Sequence, residues 1–90
     1  MDVGNQAIDL GLKGKVVLVT GSGAGIGRGI AGWFARAGAR VAVNDIDLAG
    51  AEQTVADLRA SGHEAAPFVA NVRDEAAVGG LIARIRRELG

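Results

Sequence analysis

The stretch Lys15-Val16-Val17-Leu18-Val19-Thr20-Gly21-Ser22-Gly23-Ala24-Gly25-Ile26-Gly27 decides how the rest of the chain reads. It begins with an aliphatic, β-branched run that has no polar alternation, the pattern of a strand buried on both faces of a parallel sheet. A glycine-rich turn follows at once. Ile26, Ile30, Trp33, Phe34 and Ala37 then recur at helical spacing, with Trp33 and Phe34 as packing residues, and Gly38 stands where a helix end is expected. The segment is therefore strand, tight turn, helix.

Working outward, the same alternation repeats. Arg40-Val41-Ala42-Val43-Asn44 predicts a second buried strand, broken by Asp45-Ile46-Asp47, in which Asp47 is suited to cap a helix. Leu48, Ala51, Val55 and Leu58 predict one face of that helix, which ends at Ser61-Gly62. Residues 64–70 predict a weaker third strand, disfavoured by Pro67 and supported by Phe68 and Val69. A third helix is expected to open near Asp74. Its apolar stripe is Val78, Leu81, Ile82, Ile85 and Leu89, with Arg84, Arg86, Arg87 and Glu88 left for solvent. Residues 1–11 read as a loose tail ahead of one unit at 12–90.

The order β-α-β-α-β-α implies an α/β fold with a parallel three-stranded sheet, and right-handed crossovers give the strand order 3-2-1. This is half of a doubly wound Rossmann fold.

Composition narrows the function classes. Ten basic and ten acidic residues cancel, which argues against a nucleic-acid or anionic-membrane binder. No apolar run approaches the roughly 20 residues of a membrane helix. Cysteine is absent, which removes thiolate metal sites and suits a reducing compartment. The first residues carry neither a basic nor an apolar leader segment, so the expectation is a cytoplasmic chain. His63, the sole histidine, has no second ligand type beside it and reads as a turn residue.

The glycine turn is the candidate site. A turn that leads from a strand into a helix leaves the first helical N–H groups unpaired, and with the helix dipole they suit a phosphate. The glycines at 21, 23, 25 and 27 permit positive φ and close approach of a ligand, although a plain βα turn uses them too. Asp45 falls 24 positions after Gly21, at the end of the second predicted strand. A carboxylate there can accept from both ribose hydroxyls of an adenosine and repel a 2′-phosphate. The alternative is an exposed turn aspartate. A P-loop is excluded, since no Gly-Lys-Ser/Thr follows the first strand. An S-adenosylmethionine-dependent methyltransferase is a third reading, opposed by Thr20 where an acidic residue would be expected.

From Leu12 to Gly27, and more loosely to Gly90, the chain resembles the short-chain dehydrogenase/reductase family, whose glycine motif is Thr-Gly-x-x-x-Gly-x-Gly. The resemblance implies an oxidoreductase transferring hydride between NAD and an alcohol or carbonyl substrate. It implies a pyrophosphate held over Gly21, Gly23, Ala24, Gly25, Ile26 and Gly27. Ala24 and Ile46 stand where NADP-preferring members tend to carry a basic residue, which with Asp45 points to NAD. Asn71-Val72 stands where the family usually has Asp-Val at the adenine edge, and an asparagine amide still offers a donor and an acceptor. The alternative for Asn71 is a loop residue ending a strand.

The family continues with a fourth strand, a catalytic Ser and a Tyr-x-x-x-Lys pair. Tyrosine is absent here, so the expectation is the N-terminal, cofactor-binding portion without the catalytic residues. A stand-alone, non-catalytic nucleotide-binding or interaction module is the alternative. The first strand would lack a neighbour on one side, an edge suited to self-association.

Overall fold

The computed structural model describes residues 11–90. The tail expected at the N-terminus lies, apart from Gly11, outside them. Six elements follow in order: β1 (Val16–Val19), α1 (Gly25–Arg36), β2 (Arg40–Asp45), α2 (Leu48–Ala60), β3 (Ala65–Val69) and α3 (Glu75–Leu89). The sheet is parallel throughout, in the order β1-β2-β3. Val16 lies opposite Arg40 and Val19 opposite Val43; Val41 lies opposite Ala65 and Asp45 opposite Val69.

Strand β2 is central, and its side chains divide between two cores because successive residues point to opposite faces. Val41 and Val43 pack with Ala31 and Ala35 of α1 and with Ala51, Val55 and Leu58 of α2. On the other face, Ala42 packs with Phe68 and with Leu81, Ile85 and Leu89 of α3. This is the two-faced arrangement of a Rossmann-like fold. Pro67 lies in β3, which pairs only with β2 among the described residues, so its missing N–H costs no ladder bond on the outer side.

Several side chains differ from expectation. In α1 the sheet-facing residues are Ala31 and Ala35, with Phe34 packed beside them, while Ile26, Ile30 and Trp33 are exposed. Small residues let the helix approach the sheet, and the larger ones are carried on its flank and beyond the strand ends. Leu48 is 52% exposed rather than part of the inner face of α2. It is the first residue after the Asp47 cap and stands past the end of β2. Thr54 takes an inward place instead. Ile82 is also exposed, at the margin of the α3 stripe. Arg84 is not simply solvated: it lies over the Phe68 ring, 5.5 Å from the centroid, and donates to the Val69 carbonyl at 3.3 Å. Among the described residues, no helix is long and apolar enough to cross a membrane.

Candidate functional site

Parallel strands deliver all their carboxyl ends to one edge of the sheet, the edge where open α/β sheets bind ligands. The residues read from the sequence as candidate cofactor contacts lie at this edge. Gly21 to Gly27 follow β1, Asp45 and Ile46 end β2, and Asn71 and Val72 follow β3.

The glycine turn has the geometry its residues allow. Gly21 and Gly25 adopt φ of 62° and 57°, and a Cβ at either would meet only open space, so the left-handed backbone is what requires glycine there. Gly27 is required by proximity instead: a Cβ on it would collide with the Gly21 carbonyl oxygen. Helix α1 thus begins directly against the turn. Gly23 is buried, and a Cβ there would stand 2.8 Å from Asp45 Oδ2 and 3.0 Å from the Ala51 nitrogen.

Helix α1 begins without a side-chain cap. Its N-cap is Ala24, and its first turn holds no acidic residue. The other two helices are capped by aspartates: Asp47 accepts from the Ala49 amide at 3.1 Å and Asp74 from the Ala76 amide at 3.0 Å. The first intrahelical bond of α1 runs from the Arg28 amide to the Ala24 carbonyl at 3.3 Å. The Gly25, Ile26 and Gly27 amides precede it and so have no carbonyl behind them in the helix. These amides and the positive end of the helix dipole suit an anion.

Asp45 is held by the turn it faces. Its Oδ2 accepts from the Gly23 amide at 2.9 Å and its Oδ1 from the Asp47 amide at 3.0 Å. These bonds, that from Asp47 foremost, stabilise the anion and lower its pKa below the ordinary carboxylate value. The shift therefore contributes folding stability that is complete above the ordinary carboxylate value and is lost as the pH falls through the lower folded one.

Asn71 and Val72 are both exposed. The Asn71 side-chain oxygen accepts from the Arg73 amide at 3.0 Å, which orders its own loop. No hydrogen bond joins either residue to the glycine turn among the described residues, although the neighbouring Ala70 amide donates to the Asp45 carbonyl at 3.3 Å. Ile26 and Ile46 are 85% and 67% exposed, apolar surface at the same edge.

Sequence reasoning reads Ser22 as a turn or phosphate hydrogen-bonding residue but overlooks Asn44 and Thr54 beneath this edge. Ser22, Asn44 and Thr54 are buried and hydrogen-bonded to the backbone of the turn and strands. The available signals were a polar residue closing an apolar strand, at Asn44, and a threonine on the inner stripe of a helix, at Thr54. His63 is half-buried beside a shallow cavity lined by Arg40, Arg59 and Glu64, at the opposite end of the strands. No group of residues able to hold a metal ion occurs among the described residues.

Comparison with known proteins agrees with this geometry. The short chain dehydrogenase family matches residues 15–90. The chain is 41% identical over 80 residues to 2,3-dihydro-2,3-dihydroxybenzoate dehydrogenase of Bacillus subtilis, covering 89% of this chain and 31% of that protein. The crystal structure of hydroxysteroid dehydrogenase from Escherichia coli superposes with a TM-score of 0.84 at 37% identity, over 88% of this chain and 32% of the other. A citronellol catabolism dehydrogenase of Pseudomonas aeruginosa gives a TM-score of 0.83 at 33% identity, over 88% and 33%. The chain thus spans about a third of the length of these relatives. With the glycine turn, the strand order and the family match in agreement, this chain belongs to the short chain dehydrogenase family of dinucleotide-dependent oxidoreductases.

Proposed function

We propose that residues 12–90 hold the adenosine and pyrophosphate of NAD, as the cofactor-binding portion of an oxidoreductase that moves hydride between NAD and an alcohol or carbonyl substrate. The observation that carries this reading is the Asp45 carboxylate, fixed 2.9 Å from the Gly23 amide beside the uncapped start of α1. The amides of Gly25, Ile26 and Gly27 would receive the pyrophosphate. Asp45 would accept from the ribose hydroxyls with its remaining lone pairs, and Ile46 and Val72 offer apolar surface for adenine, with Asn71 for its polar edge. Bound NAD supplies the hydride acceptor. The tyrosine that serves as acid/base in the family pattern does not occur in these 90 residues, so no residue here is assigned to proton transfer.

A 2′-phosphate would be brought against the Asp45 anion, and two charges about 4 Å apart near a protein surface repel by about 4 kcal/mol before screening by salt. Calorimetric titration is therefore expected to show NAD binding about 10- to 100-fold more tightly than NADP, and Asp45→Ala to erase most of that difference. A folded chain that binds neither dinucleotide would favour the interaction module. Binding of S-adenosylmethionine without competition from NAD would favour the methyltransferase.

We infer in addition that the 90-residue chain pairs with a second copy through β1. Its outer edge has no strand partner among the described residues and carries no proline or bulge to blunt it. Val16, Val17 and Leu18 are only half-buried. Arg28 of α1 pairs with Asp57 of α2, which places Ile30 and Trp33 on the flank of α1 turned away from α2. A two-fold axis normal to the sheet would set β1 antiparallel to its copy and bring these flanks together. Trp33, the sole tryptophan, reports the event: its emission should move to shorter wavelength as sedimentation shows dimer forming. A monomer with unchanged emission at about 100 μM would overturn the inference.

A further inference from the structure

The buried polar side chains of the described residues are Ser22, Asn44 and Thr54, each no more than 1% exposed, and together they form one hydrogen-bonded path. It starts in α2, where the Thr54 hydroxyl donates to the Ser22 carbonyl at 3.0 Å. The Ser22 hydroxyl donates to the Val19 carbonyl at 2.6 Å and accepts from the Asn44 amide at 3.1 Å. The Ser22 amide in turn donates to the Asn44 carbonyl at 2.9 Å. Finally, the Asn44 side-chain amide donates to the carbonyls of Phe68 and Ala70, at 3.0 and 3.2 Å.

The path crosses the whole carboxyl edge of the sheet and touches each loop that carries a candidate cofactor residue. Its central peptide, Ser22–Gly23, joins the carbonyl held by Thr54 to the amide that donates to Asp45. Because that peptide is planar, anchoring the carbonyl aims the amide. Among the described residues, no side-chain polar atom shut off from solvent is left without a partner, the condition under which a buried polar network specifies one arrangement.

We propose that Thr54, with Ser22 and Asn44, is a positioning residue that aims the Gly23 amide at the Asp45 carboxylate and so sets the discrimination between a free and a 2′-phosphorylated adenosine ribose. This rests on the dinucleotide reading above. Thr54 touches no ligand in this scheme; it acts through the Ser22–Gly23 peptide.

Two readouts test it on the same samples: the NMR titration of the Asp45 carboxyl carbon, which needs no ligand, and the ratio of affinities for ADP-ribose and its 2′-phosphorylated form. In Thr54→Val the Asp45 midpoint should rise toward the ordinary carboxylate range, and the preference for ADP-ribose should fall by about tenfold. Thr54→Ser, which keeps the hydroxyl, should restore both. If Thr54→Val does not fold, Ser22→Ala removes the adjoining link and should show the same pair of changes. A folded variant with an unmoved Asp45 midpoint and an unchanged preference overturns the relay while leaving the dinucleotide reading intact. A wild-type chain that binds neither form overturns the dinucleotide reading, and the assignment of specificity falls with it.

Discussion

Ala24→Asp should make the protein more stable and at the same time remove most of its affinity for NAD. Ala24 already has the extended backbone of an N-cap, with φ of −162° and ψ of 167°, but its side chain caps nothing. An aspartate there can accept from the amides of the first turn and place its charge at the positive end of α1, as Asp47 and Asp74 do for their helices. The gain is about 1 kcal/mol, which for a domain of this size raises the unfolding midpoint by about 4–8 °C. The same carboxylate would occupy the amides proposed for the pyrophosphate and repel it, a loss on the order of 100-fold in affinity. Thermal unfolding and calorimetry on one preparation check both signs. A variant that is more stable and binds NAD as well as wild type would show that the start of α1 is not the pyrophosphate site. Ala24→Ser supplies a cap without the charge, and separates competition for the amides from repulsion.

The largest loss of stability is expected at Gly27. A Cβ there overlaps the Gly21 carbonyl oxygen and lies 2.8 Å from the Gly21 carbonyl carbon; both are backbone atoms, so no rotamer change relieves the contact. Gly27→Ala must lift α1 off the turn and should cost about 3 kcal/mol, a large fraction of the stability of a domain this small. Gly29, two residues along the same helix, has open space where a Cβ would go. Gly29→Ala should therefore stabilise the protein by about 0.5–1 kcal/mol through helix propensity. Denaturant unfolding of the pair separates the close approach at Gly27 from a general preference of α1 for alanine. Equal effects of the two substitutions would refute the close approach.

The sheet and its order were legible because the apolar runs of β1 and β2 have the period of buried strands, and because turn residues stand at each junction. The Asp47 cap and the opening of α3 near Asp74 were legible for the same local reason. Burial on α1 was not. Its helical spacing selects Ile26, Ile30, Trp33, Phe34 and Ala37, but the distance between helix and sheet is set by the smallest residues, and these are Ala31 and Ala35. Leu48 and Ile82 misled likewise, since periodicity does not say where a helix outruns the sheet. Within the candidate site, the glycines and Asp45 could be read from spacing. The bond between Gly23 and Asp45 could not, because it depends on how closely two loops approach. Asn44 and Thr54 carry only faint local signals, a polar residue closing a strand and a threonine on the inner stripe of a helix. Their significance comes from contacts across 22 and 32 positions of sequence.

The register of the sheet bears on how the chain acquires its shape. Val16 meets Arg40 and Val41 meets Ala65, so both pairings close across the same interval of 24 residues. Loop-closure entropy is then the same for each strand added, and neither pairing has to wait for a distant segment. During synthesis, β1 needs only the next turn-helix-strand unit before it can pair, and β2 needs only the one after that. The sheet can therefore be laid down in the direction of translation, one repeat at a time. Gly21 and Asp45 stand at corresponding points of successive repeats, 24 residues apart, and Val69 falls at the third. The edge proposed for the dinucleotide would thus be assembled in the order in which its parts leave the ribosome.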